Sequence, residues 1–231
     1  MSEHLLVERE QGVLTLRMHR PDKKNALTRA MYSGMAEVLV QADQDKSVRA
    51  VLITGGESCF TSGNDVADFI QAPPTGLNSE VFQFMQALFE FSKPVVATLK
   101  MPFVNLGLCP EYGSSLILPR LLGHARAAEL LLLGQSFTGE QAAAWGVANQ
   151  ALDGGEATLA KAREMALRFQ QLAPAAVADS KRLMRAPDRE QLRRVIEEEG
   201  ALFGQRLRSP EAIEALTAFM QRRTPDFSKF A

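Results

Sequence analysis

The chain has 231 residues, of which 46% are hydrophobic and 23% are charged, and its formal net charge is −1. This composition is typical of an ordinary globular protein, and the length is sufficient to bury a substantial core. A net charge this close to zero argues against proteins that bind nucleic acid or an acidic membrane surface through a basic face.

The cysteine content and the N-terminus bear on the compartment of the protein. Cys59 and Cys109 are too few for a disulfide framework, which favours a reducing environment. The first ten residues, MSEHLLVERE, carry acids where a signal peptide has a basic and then an apolar run. No apolar stretch reaches the roughly 18–20 residues that cross a membrane. We therefore expect a cytoplasmic protein without a membrane span.

The first half of the chain predicts a strand, a helix and a second strand. Residues 12–21, GVLTLRMHRP, alternate apolar and polar side chains until a proline ends the pattern. Thr28 then opens a stretch with apolar residues at helical spacing. Residues 49–56, RAVLITGG, form a continuous apolar run that is typical of a strand covered on both faces. This order predicts a βαβ unit with parallel strands.

The rest of the chain predicts one more strand and then mostly helix. Residues 94–99, PVVATL, have the composition of another buried strand. From residue 116 onward the pattern is nearly all helical, and Pro210 takes the first position of one helix. We divide the chain into an α/β core, residues 1–172, and a helical C-terminal region, residues 173–231.

Two short segments could carry chemistry. Ser62-Gly63-Asn64-Asp65 follows a buried strand, and the backbone N–H groups of such a turn can bind negative charge. The alternative, which the four residues taken alone favour, is a plain turn in which Asp65 caps a helix. The other segment, NLGLCPEYGSS at 105–115, holds one carboxylate, Glu111, among small residues. Glu111 is either a solvated turn residue or a carrier of protons in a cleft.

Several common site types have no motif in this sequence. There is no P-loop, no G-x-G-x-x-G, no H-E-x-x-H and no paired C-x-x-C, so the sequence predicts neither a nucleotide-phosphate site nor a metal site. The three histidines, His4, His19 and His124, lie outside any recognised nucleophile motif. A hydrolase triad therefore has no support.

Seven segments, taken together and in order, make the chain similar to the crotonase superfamily, which contains the enoyl-CoA hydratases and isomerases. No single segment is specific, whereas the ordered set is. The segments are HRPDKKNAL (19–27), AVLITG (50–55), CFTSGNDV (59–66), KPVVA (93–97), LGLCPEYGSS (106–115), LPRLLG (118–123) and GQSFTGEQAAAWGVAN (134–149). In motif, the chain most resembles the Δ3,Δ2-enoyl-CoA isomerase branch.

The resemblance implies the architecture and the assembly. The expected α/β fold is a spiral of ββα repeats that form two roughly perpendicular sheets. A helical C-terminal region is expected to mediate trimerisation, which gives a homotrimer or a dimer of trimers. An acyl-CoA thioester is the implied substrate, and neither a metal nor another cofactor is implied.

The resemblance also implies an oxyanion hole. In this family two backbone N–H groups bind the thioester oxygen of the substrate, and one of them corresponds here to the N–H of Asn64. Loss of a proton next to the thioester gives an enolate, whose negative oxygen these donors stabilise. Removing one donor from a comparable hole typically costs about 10²–10³ in rate.

The number of glutamates separates isomerases from hydratases in this family. Hydratases use two, and one of these positions corresponds here to Phe103, whose hydrocarbon ring cannot activate water. Glu111 instead matches the single glutamate of the isomerase branch, which carries a proton from C2 to C4 of a 3-enoyl-CoA. Lys24 and Ala26 correspond to a segment that lines the CoA site, although Lys24 is equally an exposed loop lysine. The implied substrate-binding set also includes Ser62, Gly63, Asp65, Phe103 and Leu106.

The chain departs from the family where Lys100 is followed directly by Met101. Family members carry a further segment there, with the second oxyanion donor and the other hydratase glutamate. The join is also awkward physically, because parallel strands need a crossover of about a dozen residues or more. Either this sequence omits the segment, which the intact flanking motifs favour, or the protein lacks it. A protein without it would be impaired in catalysis.

Two alternatives to the isomerase therefore stay open. The first is enoyl-CoA hydratase or another crotonase reaction, because the superfamily changes its chemistry by moving a few acids. The second is a member that binds acyl-CoA without turning it over.

Overall fold

A sheet of four strands and a series of helices account for most of the described chain. The structure is a computed structural model that describes residues 2–55, 59–72, 76, 78–97, 106–221 and 223–230. The strands are β1 (Leu5–Glu10), β2 (Val13–Met18), β3 (Ala50–Thr54) and β4 (Val95–Val96). The α-helices are α1 (Arg29–Gln44), α2 (Val66–Gln71), α3 (Glu80–Glu90), α4 (Ser114–Leu122), α5 (His124–Leu132), α6 (Gly139–Ala144), α7 (Gly155–Arg168), α8 (Pro174–Arg185), α9 (Arg189–Arg206) and α10 (Pro210–Met220).

These elements belong to two compact units. The first unit comprises the described residues within 1–72, 78–99 and 152–188, and the second those within 73–77, 100–151 and 189–231. The first unit contains the sheet with α1, α2, α3, α7 and α8, and the second contains α4, α5, α6, α9 and α10. The division into residues 1–172 and 173–231 stays a prediction.

The sheet has the order β1-β2-β3-β4. Strands β1 and β2 are antiparallel, whereas β2 pairs with β3 and β3 with β4 in parallel. The register places Leu14 beside Val51, and Val51 beside Val95. Since α1 connects β2 to β3, the predicted βαβ unit with parallel strands is confirmed.

Strand β3 is covered on both faces, as its continuous apolar sequence predicts. All five of its residues are buried. On one face Val51 and Ile53 pack with the apolar side of α1, including Met31 and Leu39. On the other face Ala50 and Leu52 pack with α7. The sheet is therefore a rigid base for the turns that follow its strands.

The described part of the predicted strand at 94–99 is shorter and less buried than expected. Strand pairing covers only Val95 and Val96, both half-buried, and Ala97 is exposed. An apolar run alone does not distinguish a fully buried strand from a half-covered edge strand. Residues 98 and 99 lie outside the described residues.

The second unit is helical. Its apolar contacts include the packing of Leu118 of α4 against Leu131 of α5. The residues after α10 are held by Glu214, which accepts hydrogen bonds from the side chains of Arg223 and Lys229 and from the Asp226 N–H.

Over the described residues, no helix has both the length and the apolar character needed to cross a membrane. The second sheet that the resemblance implies stays a prediction.

Candidate active site

The turn at 62–65 presents an unpaired backbone donor at Asn64. The Leu27 N–H donates to the Gly63 carbonyl over 2.8 Å, and the Asp65 N–H donates to the Leu27 carbonyl over 2.8 Å. Because successive N–H groups of an extended chain point to opposite sides, the Asn64 N–H points away from Leu27. No described residue accepts a hydrogen bond from it. This N–H is therefore available to an external acceptor.

An ion pair with little exposure holds the end of this turn. Arg20 Nη1 lies 2.5 Å from Asp65 Oδ2, and each side chain is 15% exposed. The other oxygen of Asp65 accepts the N–H groups of Ala67 and Asp68, so Asp65 caps α2 as predicted. Burial by itself would raise the pKa of Asp65, but the hydrogen bonds from Arg20 and from the backbone outweigh it and lower this pKa below its usual value. The carboxylate is thus charged at neutral pH.

The structure brings the predicted CoA-lining segment next to this turn. The Ser62 N–H donates to the Lys24 carbonyl over 2.9 Å. Arg20 Nη1 donates to the Ala26 carbonyl over 3.2 Å. The Lys24 side chain is exposed, which is compatible both with contact to a phosphate and with an ordinary loop lysine. Lys24, Ala26 and the turn at 62–65 therefore form one continuous surface of the first unit.

Two side chains that support this surface were missed in the sequence. Asn25, only 5% exposed, donates from Nδ2 to the Cys59 carbonyl and accepts the Arg20 N–H at Oδ1, each over 2.8 Å. The Tyr32 hydroxyl donates to Asn64 Oδ1 over 2.6 Å. Asn25 lies in the left-handed region at φ 55°, which asparagine tolerates better than most residues. The preference of asparagine for this conformation is the sequence signal that could have identified Asn25 as a turn residue.

Glu111, in the second unit, carries a carboxyl group without a hydrogen-bond donor among the described residues. The residue is half-buried, and its backbone carbonyl accepts the N–H and the hydroxyl of Ser114. Loss of hydration, together with the nearby carboxylate of Glu199, raises the pKa of Glu111 to about 7. Its protonated and ionised forms are therefore both present near neutral pH.

A tight turn leads from Glu111 into α4. Tyr112 and Gly113 are both left-handed, with φ 58° and 78°. A Cβ atom on Gly113 would lie 2.4 Å from Leu192 Cδ1 of α9, so a side chain here would have to displace the end of Leu192, and the left-handed backbone also favours glycine. The close approach of α9 and the backbone angle together explain the glycine at 113.

Glu199 of α9 reaches the same turn and was missed in the sequence. Its Oε2 accepts the Gly113 N–H over 2.5 Å and its Oε1 accepts the Ser115 N–H over 2.9 Å. Glu199 is only 8% exposed. A second carboxylate thus lies in the surroundings of Glu111, although no hydrogen bond joins the two.

The remaining predicted site residues are placed as follows. Leu106 is half-buried and packs against Leu108, Phe203 and Ala212. Phe103 and the Lys100–Met101 junction lie outside the described residues. Within the ranges that the structure describes, no cluster of three or more histidine, cysteine, aspartate and glutamate side chains is arranged to hold a metal ion.

A sequence model described as enoyl-CoA hydratase/isomerase matches residues 8–100 and 97–229. The chain belongs to this family. It is therefore a member of the crotonase superfamily, as the seven ordered segments predict.

Individual relatives agree with this assignment. Human enoyl-CoA delta isomerase 2 is 30% identical over 256 residues, which cover 96% of this chain but only 64% of that protein. The 1,2-epoxyphenylacetyl-CoA isomerase of Escherichia coli K12 is 31% identical over 262 residues, which cover 99% of each chain. The solved structure of Pseudomonas aeruginosa OdaA is 60% identical, covers 96% of this chain and 100% of its own, and superposes with a TM-score of 0.93. The predicted crotonase-like α/β fold is confirmed.

The comparisons also locate the departure from the family. The alignments of 256 and 262 residues are longer than the 231 residues of this chain, so relatives have positions without a counterpart here. The two matches to the family model meet and overlap at residues 97–100. The family match is therefore interrupted beside the predicted Lys100–Met101 junction.

Proposed function

We propose that the protein isomerises 3-enoyl-CoA to 2-enoyl-CoA, with Glu111 as the single carboxyl that takes a proton from C2 and returns it at C4. The observation that carries this proposal is the Glu111 carboxyl group, which has no described hydrogen-bond donor and a pKa raised to about 7. A single shuttle must accept and then donate the same proton. A group that is half ionised near neutral pH serves both steps.

The Asn64 N–H supplies one stabilising contact in the same proposal. Removing the C2 proton places negative charge on the thioester oxygen, and a donor already oriented toward that oxygen lowers the barrier. Two observations support Asn64 as such a donor: its N–H has no acceptor among the described residues, and the Arg20–Asp65 ion pair holds its turn. The proposed set of substrate-binding and CoA-binding residues is Lys24, Ala26, Ser62, Gly63, Asp65, Phe103 and Leu106.

Other parts of the proposal come from the family. The human relative bears the name of an enoyl-CoA isomerase, which supports the proposed reaction, and a 28% identical relative from Escherichia coli bears the name of a hydratase, which keeps that reaction as the alternative. The thioester is itself the substrate, so the proposed reaction uses no further cofactor. Assembly as a homotrimer or a dimer of trimers, and a cytoplasmic location, belong to the same proposal.

A second candidate function is binding of acyl-CoA without turnover. It is favoured by the interrupted family match at residues 97–100, because the resemblance places the second oxyanion donor in the segment beyond that point. With one donor, a loss of about 10²–10³ in rate is expected.

The test compares the wild type with Glu111→Gln on two substrates, 3-hexenoyl-CoA and crotonyl-CoA, followed by the ultraviolet absorbance of the enoyl thioester. We expect the wild type to conjugate 3-hexenoyl-CoA and the variant to be slower by about 10²-fold or more, as for removal of a general base. Glu129→Gln, which neutralises an exposed carboxylate of α5, is the matched control and should behave as wild type.

Two results would contradict the isomerase proposal. Hydration of crotonyl-CoA that survives Glu111→Gln would indicate a hydratase with another acid. Saturable binding of both thioesters without any reaction would indicate the non-catalytic alternative.

A further inference from the structure

Glu199 differs from its neighbours in the run of three glutamates at 197–199. Glu197 and Glu198 are exposed, whereas Glu199 is 8% exposed and faces the turn before α4. Its two acceptors, Oε2 and Oε1, receive the N–H groups of Gly113 and Ser115. The Glu199 carboxylate therefore connects the middle of α9 to the two residues that flank Ser114, the first residue of α4.

The surroundings of Glu199 explain how a buried carboxylate is tolerated there. Burial of a charge is unfavourable unless hydrogen bonds compensate for the lost water. The two N–H groups at the start of α4 have no partner within that helix, and the positive end of the helix dipole favours an anion at this place. Glu199 thus replaces a side-chain cap, which the preceding Gly113 cannot supply.

The same contacts argue against Glu199 as a second acid–base group. Both of its oxygens already accept backbone donors at 2.5 and 2.9 Å. A side chain that is fixed to two backbone groups through both oxygens has little freedom to reach a substrate or a water molecule. Charge-assisted hydrogen bonds of this kind are among the stronger ones in proteins. Glu199 is therefore suited to hold the turn rather than to exchange protons.

We propose that Glu199 is the positioning residue for Glu111: it clamps the turn that carries Glu111 and places a second negative charge beside it. This inference rests on the proposed role of Glu111. Because Gly113 is only two residues from Glu111, loss of the clamp frees the backbone from which the Glu111 carboxyl projects. Loss of the charge removes one of the two causes that favour a proton on Glu111.

Among the described residues, Cys109 and Arg206 are further titratable or charged groups of these surroundings. Burial, followed by the charges of Glu111 and Glu199, raises the pKa of the Cys109 thiol, so this group is neutral at pH 7. Arg206 pairs with Glu211 at 3.3 Å. Of the charges around Glu111, that of Glu199 is the one that raises its pKa.

The test measures the ionisation of Glu111 directly, in the full chain labelled with ¹³C at glutamate side-chain carboxyls. The Glu111 signal is assigned by its loss in Glu111→Gln. We expect its titration midpoint to lie near 7 in the wild type and to fall by on the order of one pH unit in Glu199→Gln, as for removal of a nearby like charge. Glu198→Gln, which neutralises an exposed side chain of the same helix, should leave the midpoint unchanged.

Turnover of 3-hexenoyl-CoA gives the second readout. In Glu199→Gln, kcat should fall about tenfold or more with little change in KM, because the base is displaced rather than removed. The acidic limb of the pH profile of kcat should move in the same direction as the titration midpoint. A folded Glu199→Gln protein with an unchanged Glu111 midpoint would overturn the inference.

Glu199→Asp separates the clamp from the charge and serves if Glu199→Gln does not fold. The shorter side chain keeps the charge but cannot reach both N–H groups. The Glu111 midpoint should then stay near 7 while kcat falls. Wild-type kcat in Glu199→Asp would overturn the inference. If Glu111→Gln proves fully active, the proposed function fails, whereas the titration of Glu111 still decides the role of Glu199.

Discussion

The Tyr32 hydroxyl donates a 2.6 Å hydrogen bond to the side-chain oxygen of Asn64, and so connects α1 to the turn with the proposed oxyanion donor. Tyr32 is 8% exposed. Its ring packs against the rings of Phe69 and Phe84, with centroids 6.4 and 5.6 Å away. These rings hold the hydroxyl in position, and it orients Asn64, whose N–H has no acceptor among the described residues.

Tyr32→Phe keeps the ring and removes the hydrogen bond to Asn64. We expect the free energy of unfolding to fall by about 1 kcal/mol, the usual net value of such a bond. A loss of that size in the transition state lowers kcat about fivefold, with little change in KM. Urea unfolding and steady-state kinetics with 3-hexenoyl-CoA measure the two effects. Reduced stability with unchanged kcat would show that the bond supports the fold alone.

Gly113→Ala tests the close approach of α9 to the Glu111 turn. The new methyl group meets Leu192 Cδ1 at 2.4 Å, and the backbone there has φ 78°. Left-handed strain of about 1–2 kcal/mol and overpacking of about 1–3 kcal/mol should both reduce the free energy of unfolding. Turnover should fall as well, because the Gly113 N–H is one of the two backbone donors through which Glu199 holds the turn that carries Glu111.

Gly146→Ala is the matched control for this substitution. Gly146 ends α6 at φ 76°, in the left-handed conformation defined by its hydrogen bond to the Ala143 carbonyl and that of the Val147 N–H to the Ala142 carbonyl, but a Cβ atom there meets nothing within 4 Å. It should therefore show the backbone strain alone, and thermal or urea unfolding of both variants isolates the contact with Leu192. Equal losses in the two variants would contradict the close packing of α9 on this turn.

Lys181 of α8 makes the stability of the first unit depend on pH in the alkaline range. Its Nζ donates to the carbonyls of Phe91 and Lys93. Burial, followed by the neighbouring Arg185, lowers the pKa of Lys181 to about 8, despite the opposing effect of Asp43. Between pH 8 and the ordinary lysine value of about 10.4, the unfolded state then binds more protons than the folded state. Stability contributed by this group therefore rises with pH across that window.

Lys181→Met removes the group and with it this pH dependence. The difference in free energy of unfolding between wild type and variant should move in favour of the wild type between pH 8 and 10, as measured by urea unfolding at fixed temperature. Arg185→Met should retain the rise, although at a shifted midpoint, because it removes only a neighbouring charge. A constant difference across this range would contradict a lowered Lys181 pKa.

The local patterns predicted much of the first unit. The βαβ unit could be predicted because each of its elements has a local pattern of buried residues. These patterns are the alternation in β2, the helical spacing in α1 and the apolar run of β3. The sequence also singled out the turn at 62–65 and Glu111 as candidates, because each belongs to a short local motif. Strand β4 was predicted too long and too buried, because an apolar run does not reveal how much of it is covered.

The role of Glu199 could not be predicted, because its contacts are with residues that are distant in the sequence. Its partners, Gly113 and Ser115, lie 86 and 84 residues away in the sequence. Three consecutive glutamates in a helix have the pattern of a solvated face, and only the packing of α9 on the turn selects the third for burial. The raised pKa of Glu111, caused first by burial and then by the charge of Glu199, depends in part on the same packing.

The central claim, that one carboxyl carries a proton from C2 to C4, is tested most directly with 3-hexenoyl-CoA deuterated at both C2 positions. The reaction is stopped early in ordinary water, and the positions of deuterium in the product are read by NMR. A single shuttle at Glu111 predicts that one deuteron remains at C2 and that part of the other appears at C4, by transfer within the site. A product whose C4 hydrogen comes from solvent alone, even at the earliest times, would contradict it.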